Sequence, residues 1–309
     1  MKILAHSIFP DSKPARFNFL LVYLLILLPT GCGVLSPDVG PGTTPSEPSD
    51  FAVSGNHIAT VMTYNILMGG GVTEEARAYP GAIRYPGNRL PKILKIIRAV
   101  DPDILCLQEL WFWSDSVAQD VADSLRMNYR MSINEENGHS GAIFSKFKIT
   151  ETDTFPGRFR NSALCVTRQP PWGKPINVFG AHLAPPLDSA STSIRNKEVD
   201  FLISQMADYK SSSSILLGDL NFPANSGAEN AKLVGAGWVL VAEAGTCQPP
   251  GGQGRMSNRD VGSPDHIWAP RAFAPKTRGA RAIEDYSIPQ LFLDECSDHY
   301  PALALVGID

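Results

Sequence analysis

The sequence predicts an α/β fold in which two mixed β-sheets pack face to face and helices cover their outer faces. Short apolar runs rich in β-branched residues alternate with helical patterns, the runs outnumber the helices, and the helices occur singly. A chain of 309 residues with 43% apolar and 19% charged residues is long enough to bury a large core. We therefore expect one domain of this class, without internal repeats.

The first 31 residues are predicted to be a signal peptide rather than part of the fold. Lys13 and Arg16 precede residues 17–28, an uncharged apolar run that suits a signal-peptide core and is short for a membrane span. The next residues, LPTGCG, resemble a bacterial lipoprotein processing site in which Cys32 would be lipidated. Pro29 stands where such sites usually have Leu, and an ordinary secreted protein cut near this point is the alternative. Both interpretations predict export from the cytoplasm.

Residues 32–56 are predicted to be the lipidated Cys followed by a flexible linker, because Gly, Pro, Ser and Thr dominate and no apolar periodicity is present. The folded domain is then expected at 57–309. Cys106 and Cys165 lie in apolar runs and are predicted core residues, whereas a Cys247–Cys296 disulfide is possible in an oxidising compartment.

Within the domain, each predicted element follows from its local pattern. The segment RLPKILKIIRAV repeats apolar residues on one helical face, whereas DILCLQEL is an unbroken apolar run typical of a buried strand. Helices are predicted at 89–100, 116–125 and 193–209, and strands at 58–67, 103–110, 141–146, 163–169, 176–184, 214–221, 266–270 and 301–306.

Polar side chains recur where these predicted strands begin or end, the positions at which a rigid scaffold meets solvent. Each has an ordinary structural explanation when taken singly, but their shared placement indicates a site. The set is Asn65, Glu109, His182, Asp219, Asn221, Asp265, Asp298 and His299.

The chemistry of this set is complementary. Carboxylates are hard oxygen ligands suited to Mg²⁺ or Ca²⁺ rather than to Zn²⁺. Histidines transfer protons near neutral pH, and an adjacent carboxylate raises their basicity. The combination suits metal-assisted attack of water on phosphorus.

The motifs also carry a family resemblance across residues 57–309. In order, MTYNI, DPDILCLQE, SGAIFSK, GAHL, LLGDLN, PDHIW and SDHYPALAL resemble the endonuclease/exonuclease/phosphatase superfamily, which includes deoxyribonuclease I-like enzymes. The resemblance implies a four-layered α/β sandwich and an Mg²⁺-dependent phosphoesterase, with Mn²⁺ or Ca²⁺ as possible substitutes.

The resemblance also implies roles for individual residues. Glu109 would be the main metal ligand, with Asn65 and Asp298 beside the metal. His299 would activate the attacking water and Asp265 would orient His299. The residues implied to bind the water or the phosphate are Asp219, Asn221 and His182. Arg195, on a helix, is a further substrate-binding candidate, with a purely structural role as the alternative.

The substrate is less well determined. A net charge of −4 argues against a protein that holds nucleic acid by bulk positive charge alone. The basic stretch 255–281, with Arg77, Arg84 and Arg89, could contact phosphates or be solvated. The aromatic side chains directly after Glu109 could stack on a base, lie against a lipid or sugar, or pack in the core. They are Trp111, Phe112 and Trp113.

These observations predict a monomeric extracytoplasmic endonuclease in the cell envelope, periplasmic or surface-exposed, held to the membrane by a lipid anchor. Its partner would be nucleic acid or another phosphodiester. A lipid- or inositol-directed phosphoesterase is the alternative within the same enzyme class, and a non-catalytic binding lipoprotein is the alternative outside it.

Overall fold

The structure is a computed structural model that describes residues 58–133, 138–171, 174–207, 213–244, 263–271, 277–281, 288 and 293–307. The predicted signal peptide, the linker with Cys32, and Cys247 lie outside these residues. Cys106, Cys165 and Cys296 are all buried. Among the helices in the described part of the chain, none is both long and apolar enough to cross a membrane.

Twelve strands of the described chain form two six-stranded mixed sheets. The strands are β1 Ile58–Asn65, β2 Ile104–Gln108, β3 Asn128–Ile133, β4 Ser140–Ser145, β5 Lys148–Thr154, β6 Ser162–Gln169, β7 Ile176–His182, β8 Ser213–Asp219, β9 Trp238–Ala244, β10 Asp265–Pro270, β11 Thr277–Arg281 and β12 Ala302–Gly307. The first sheet has the order β11-β12-β1-β2-β4-β3, and the second has the order β5-β6-β7-β8-β10-β9.

The helices lie outside the two sheets. They are α1 Glu74–Ala78, α2 Leu90–Val100, α3 Asp115–Leu125, α4 Ser189–Ala207 and α5 Gly227–Gly235. Two short 3₁₀ turns, Met68–Gly71 and Pro80–Ala82, flank α1.

Alternation along the strands builds three apolar layers. In β1, Ala59 and Val61 face the second sheet, whereas Met62 and Tyr64 face α2 and α3. The outer face of the second sheet packs against α4 and α5 through residues such as Phe179 of β7. The resulting order of helices, sheet, sheet and helices confirms the predicted four-layered α/β sandwich.

The four strands that the sequence patterns missed are β3, β5, β9 and β11, and these are the four edge strands of the two sheets. An edge strand buries fewer side chains, so its sequence has less need of an apolar pattern. In β5, for example, Ile149 is the one buried residue of seven. The short helices α1 and α5 were missed as well.

The topology brings the functional strand ends to one end of the sandwich. β1 runs parallel to β2, and β7 runs parallel to β8, so the carboxyl ends of each pair lie at the same end of their sheet. β10 and β12 run antiparallel to their neighbours β8 and β1, and therefore begin at that same end. In the register of the second sheet, Asp219 pairs with His182 on one side and with Asp265 on the other.

Candidate active site

The cleft at this end of the sandwich contains the predicted polar residues. Its lining includes Glu109, His182, Asp219, Asn221, Asp298 and His299, together with Leu67, Met68, Tyr79, Trp111, His139, Asn161 and Pro185. Asn65 and Asp265 lie directly beneath this lining and are fully buried.

Glu109 directly follows β2, and its backbone adopts a left-handed conformation with φ of 58°. Its Oε1 accepts a hydrogen bond from Asn65 Nδ2 at 3.1 Å, and its Oε2 accepts one from the Met68 backbone N–H at 3.1 Å. Burial, reinforced by the negative charge of Asp298, raises the pKa of Glu109 to about 7. The negative charge of Glu109 is therefore only partly compensated by its neighbours.

Asn65 orients the carboxylates through its amide nitrogen, and its predicted place beside the metal stays a prediction. Its Oδ1 accepts the Leu67 backbone N–H at 3.0 Å. Its Nδ2 donates to Glu109 and also to Asp219 Oδ2 at 3.0 Å. A flipped amide would set oxygen against two carboxylates and N–H against N–H, so the hydrogen bonds determine this orientation.

Asp219 is the central carboxylate of the cleft. Its Oδ1 accepts the Asn221 backbone N–H at 3.1 Å, while Oδ2 lies 3.5 Å from His182 Nε2 and 3.8 Å from His299 Nε2. Burial raises the pKa of Asp219 to about 7 despite the favourable effect of His299. A side chain that titrates near neutrality at this position can hold or release a proton.

His299 and Asp265 form a buried pair. His299 Nδ1 donates to Asp265 Oδ2 at 2.6 Å, which leaves Nε2 directed toward Asp219 and, at 3.9 Å, toward Asp298 Oδ1. Burial by itself lowers the pKa of His299, but Asp265, Asp219 and Asp298 together raise it well above the usual value. The imidazole is therefore held protonated while the carboxylates around it are uncompensated.

The loop that carries Asp298 is tied to the end of β1. Ser297 Oγ donates to the Asn65 backbone carbonyl at 2.7 Å. Arg89, which is buried, donates to the backbone carbonyls of Leu67 and Cys296. Arg89 thus joins the segment beside Glu109 to the segment beside Asp298. The sequence predicted either a phosphate contact or a solvated charge for Arg89, and no local pattern marks this buried role.

His182 and Asn221 complete the opposite side of the cleft. Burial, with His139 and His299 nearby, lowers the pKa of His182 well below 6.5, so its ring is neutral at pH 7. Its Nδ1 is buried and has no hydrogen-bond partner among the described residues. Asn221, with φ of 56°, donates from Nδ2 to the Leu183 carbonyl at 2.9 Å. The Asn221 side chain is therefore oriented before any substrate binds.

Arg195 is not among the residues that line the cleft, and its contacts fit the structural alternative rather than substrate binding. Its Nε donates to Glu229 Oε1 at 3.0 Å, and its Nη1 donates to the Ala184 carbonyl at 3.0 Å. The side chain is buried between α4, α5 and the segment after β7. Arg195 is a structural residue.

The three aromatic residues after Glu109 have different positions. Trp111 lines the cleft, Phe112 is exposed, and Trp113 is buried and donates from Nε1 to the Gly69 carbonyl at 2.9 Å. Tyr79 and His139 also line the cleft and were missed in the sequence analysis. Neither belongs to an apolar run, and both come from loops.

The donor set of the cleft fits a divalent cation. Glu109 and Asp298 are close enough for their charges to interact, and both offer hard oxygen ligands. Within the described residues, no group of three Asp, Glu, His or Cys side chains is arranged to hold a metal ion. A cation would thus be held by one or two carboxylates and by water, which is how proteins usually bind Mg²⁺.

Two face-to-face sheets with carboxylates and histidines at their strand ends define a hydrolase of the phosphoesterase class. The sequence model of the endonuclease/exonuclease/phosphatase family matches residues 62–299, and the chain belongs to this family. No curated protein sequence matches the chain.

Solved structures show the same fold. The endonuclease/exonuclease/phosphatase from Beutenbergia cavernae DSM 12333 superimposes with a TM-score of 0.60 at 17% identity, over 81% of this chain and 72% of that one. The 3'-5' exonuclease NExo from Neisseria meningitidis gives a TM-score of 0.58 at 18% identity, over 79% and 98%. ANGEL2, a 2',3'-cyclic phosphatase, gives 0.55 at 16% identity, over 80% and 94%. Such low identities establish a common fold and do not identify a substrate.

Proposed function

We propose that this chain is a divalent-metal-dependent phosphodiesterase that uses His299 and Asp265 to activate water. The observation that carries the proposal is the arrangement around Asp219. His182 Nε2 and His299 Nε2 lie 3.5 and 3.8 Å from its Oδ2, and Glu109 and Asp298 border the same cleft. Proton-transfer groups and cation ligands therefore face one small volume.

In this reaction the water oxygen forms a bond to phosphorus, and the bond from phosphorus to the leaving alkoxide breaks. One proton moves from water to the enzyme, and the alkoxide takes up a proton from solvent as it leaves. A divalent cation held by Glu109 and Asp298 would supply charge neutralisation at the phosphate oxygens. His299 accepts the proton of the water at Nε2, because Nδ1 is engaged with Asp265. Asp265 stabilises the imidazolium that results.

The raised pKa of His299 is compatible with this role when the negative charge around it is partly compensated. Asp219 and Asp298 contribute to that rise, and a cation beside Glu109 and Asp298 reduces their combined potential. The pKa of His299 would then fall toward the range that suits a general base. Asp219 is the second candidate for the base, because its own pKa is about 7.

His182 and Asn221 would position the phosphate. A neutral imidazole donates a hydrogen bond but is a poor proton donor, so we assign His182 to binding the phosphate oxygens and not to protonating the leaving group. Asn221 is fixed by its hydrogen bond to the Leu183 carbonyl and lines the same side of the cleft.

The charge of the cleft lining bears on the choice between an endonuclease and another phosphodiesterase. None of the described residues that line the cleft is Lys or Arg. Arg77 donates to the carbonyls of Gly71 and Val72, and Arg89 is buried. Residues 255–262 and 272–276 of the basic stretch lie outside the described residues. This lining favours a substrate that presents one phosphodiester over a long polyanion, so a lipid-directed phosphodiesterase is the second candidate.

The test is turnover by the full chain with Mg²⁺ against bis(p-nitrophenyl) phosphate, plasmid DNA, RNA, sphingomyelin and phosphomonoesters. We expect phosphodiester cleavage that EDTA abolishes and that His299→Ala lowers by at least a hundredfold. Asp120→Asn, at an exposed position on α3, is the matched control and should retain full activity. Undiminished turnover in EDTA, or a His299→Ala variant equal to the parent, would overturn the proposal.

We also propose that the enzyme works outside the cytoplasm, anchored through lipidated Cys32. The support is the basic, apolar and small-residue pattern of residues 13–32. Cells labelled with a fatty-acid probe should yield a labelled chain, and Cys32→Ser should remove the label and release the protein from the membrane fraction. An unlabelled parent chain would contradict the anchor and leave ordinary secretion.

A further inference from the structure

We infer that Tyr79, Trp111 and His139, which line one wall of the cleft, bind a quaternary ammonium group attached to the scissile phosphodiester. This inference rests on the proposed phosphodiesterase function and specifies its substrate class. The three residues are called the aromatic wall below.

The rings of the aromatic wall meet at steep angles and do not stack in parallel. The Tyr79 and Trp111 ring centroids are 5.1 Å apart with planes inclined by 67°, and those of Trp111 and His139 are 4.1 Å apart with planes inclined by 76°. A flat nucleobase is best bound by a parallel ring face, whereas a compact, rounded cation is suited to rings that meet at an angle.

The wall adjoins the position expected for the phosphate. The His139 ring centroid lies 6.3 Å from that of His182, and Trp111 follows Glu109 by two residues. A substituent one short linker away from a phosphate near His182 would therefore contact the aromatic wall. Choline-type phosphodiesters have this spacing between phosphate and ammonium.

The charge of the cleft favours a cation at this position. The carboxylates of Glu109, Asp219 and Asp298 line the cleft, and none of its described lining residues is Lys or Arg, so the lining offers a cation negative rather than positive partners. Burial lowers the pKa of His139 to about 4, so its ring is uncharged at neutral pH and does not repel a cation. The positive charge of Arg160 contributes to the lowered pKa of His139, and the Arg160 guanidinium donates to Ser191 Oγ at 2.9 Å.

The sequence builds the wall from three separate loops. Tyr79 comes from the segment between β1 and α2, Trp111 from the turn after β2, and His139 from the turn before β4. Gly69 permits the 3₁₀ turn Met68–Gly71 to pack closely against the turn that carries Trp111, because a Cβ there would lie 2.4 Å from the Trp111 carbonyl oxygen. Strained backbone flanks Trp111, with φ of 58° at Glu109 and 64° at Phe112. Such strain is concentrated at functional sites.

The ammonium could belong to a soluble phosphodiester or to a lipid headgroup, and exposed apolar residues near the cleft bear on the source. Phe112 is 47% exposed and contacts Trp111, and Leu187 is 56% exposed two residues after Pro185 of the cleft lining. These side chains would be in contact with lipid if the headgroup entered from a membrane surface.

The first experiment measures binding without catalysis. Choline and its uncharged isostere 3,3-dimethyl-1-butanol are titrated into the full chain, with and without Mg²⁺, and followed by isothermal titration calorimetry. We expect choline to bind at least tenfold more tightly, and Tyr79→Ala to weaken choline binding at least threefold while Tyr79→Phe does not.

Tyr79 is 42% exposed, so its replacement should leave the fold intact, and Trp111→Ala provides a second variant. Val234→Ala, at an exposed position on α5, is the matched control and should bind as the parent does. Equal affinity for choline and the alcohol would overturn the inference. So would choline affinity that neither variant changes, or tighter binding of adenosine that depends on Trp111.

The second experiment compares kcat/KM for p-nitrophenyl phosphorylcholine and p-nitrophenyl ethyl phosphate. We expect at least a tenfold preference for the former, reduced by Tyr79→Ala. Equal hydrolysis of both would overturn the inference while the proposed function stands. Hydrolysis of neither would overturn the proposed function, and the binding experiment would still decide the inference.

A third comparison identifies the source of the ammonium group. Sphingomyelin or phosphatidylcholine vesicles are compared with soluble glycerophosphocholine as substrates. With a lipid source, Phe112→Ser should lower vesicle hydrolysis several-fold and leave p-nitrophenyl phosphorylcholine hydrolysis unchanged. With a soluble source, glycerophosphocholine should be the better substrate and Phe112→Ser should affect neither. Failure to cleave any choline phosphodiester, while p-nitrophenyl ethyl phosphate is still hydrolysed, would contradict the inference.

Discussion

His299 Nδ1 lies 2.6 Å from Asp265 Oδ2, although the two residues are 34 positions apart and flank strands of different sheets. Asp265 begins β10 in the second sheet, and His299 precedes β12 in the first. The pair therefore bridges the two sheets at the base of the cleft. The geometry of the pair therefore depends on how the two sheets pack against each other.

Asp265→Asn should reduce kcat by about 10² to 10⁴-fold with little change in KM, because Asn holds the ring but cannot stabilise the imidazolium. Adding His299→Ala to Asp265→Asn should cost little more than the larger single effect, since the two residues act as one unit. Steady-state kinetics of the parent, both single variants and the double variant test this. Fully additive losses would contradict the paired role.

The stability of the metal-free protein should fall as the pH rises from 6.5 to 8. The pKa values of Glu109 and Asp219 are raised from 4.5 and 3.8 to about 7. The folded state therefore holds protons that the unfolded chain has already released, and the free energy of unfolding decreases through this range. His299, whose pKa is also raised, acts in the same direction. The histidines with lowered pKa values affect stability only below 6.5.

Thermal unfolding in EDTA should show this decrease as a loss of several degrees in Tm between pH 6.5 and 8. Mg²⁺ should restore most of the loss at pH 8, because a bound cation compensates the carboxylates. Glu109→Gln should have a flatter pH profile and a smaller response to Mg²⁺. A parent Tm that is independent of both pH and Mg²⁺ would be inconsistent with the proposed cation site.

Arg89→Met should weaken Mg²⁺ binding, although Arg89 does not line the cleft. The guanidinium joins the Leu67 and Cys296 carbonyls, and its loss leaves buried acceptors unpaired at a cost of about 1–3 kcal/mol each. Because these segments flank Glu109 and Asp298, the Mg²⁺ affinity measured by calorimetry should fall more than tenfold. Arg89→Lys should recover part of that affinity. An unchanged Mg²⁺ affinity in Arg89→Met would show that Arg89 is only structural.

Arg168→Met should stabilise the protein. Arg168 is fully buried on β6, and its three guanidinium nitrogens have no hydrogen-bond partner among the described residues. Burial lowers its pKa to about 9. Replacing an uncompensated buried charge by an apolar side chain of similar volume should raise the free energy of unfolding by roughly 1–4 kcal/mol. Urea unfolding measures the change, and a less stable Arg168→Met variant would contradict the prediction.

Local patterns were sufficient for the interior of the fold and insufficient for its edges. Strands such as β2 and β8 are buried on both faces, so their continuous apolar runs are visible in the sequence. The edge strands β3, β5, β9 and β11 lack that requirement and were found only in the structure. The helix α2 was predicted within one residue of its observed bounds, because its apolar face and the left-handed Asp101 that ends it are both local features.

By itself, the sequence determined the fold class, the family and the residue types at the strand ends, because each depends on short-range patterns in a fixed order. The tertiary structure alone decided which of those residues meet and how they are oriented. It turned the Asn65 amide nitrogen toward Glu109 and Asp219, placed Arg195 against Glu229, and brought Tyr79 and His139 to Trp111. These relationships arise from the packing of distant loops and helices, which no local pattern encodes.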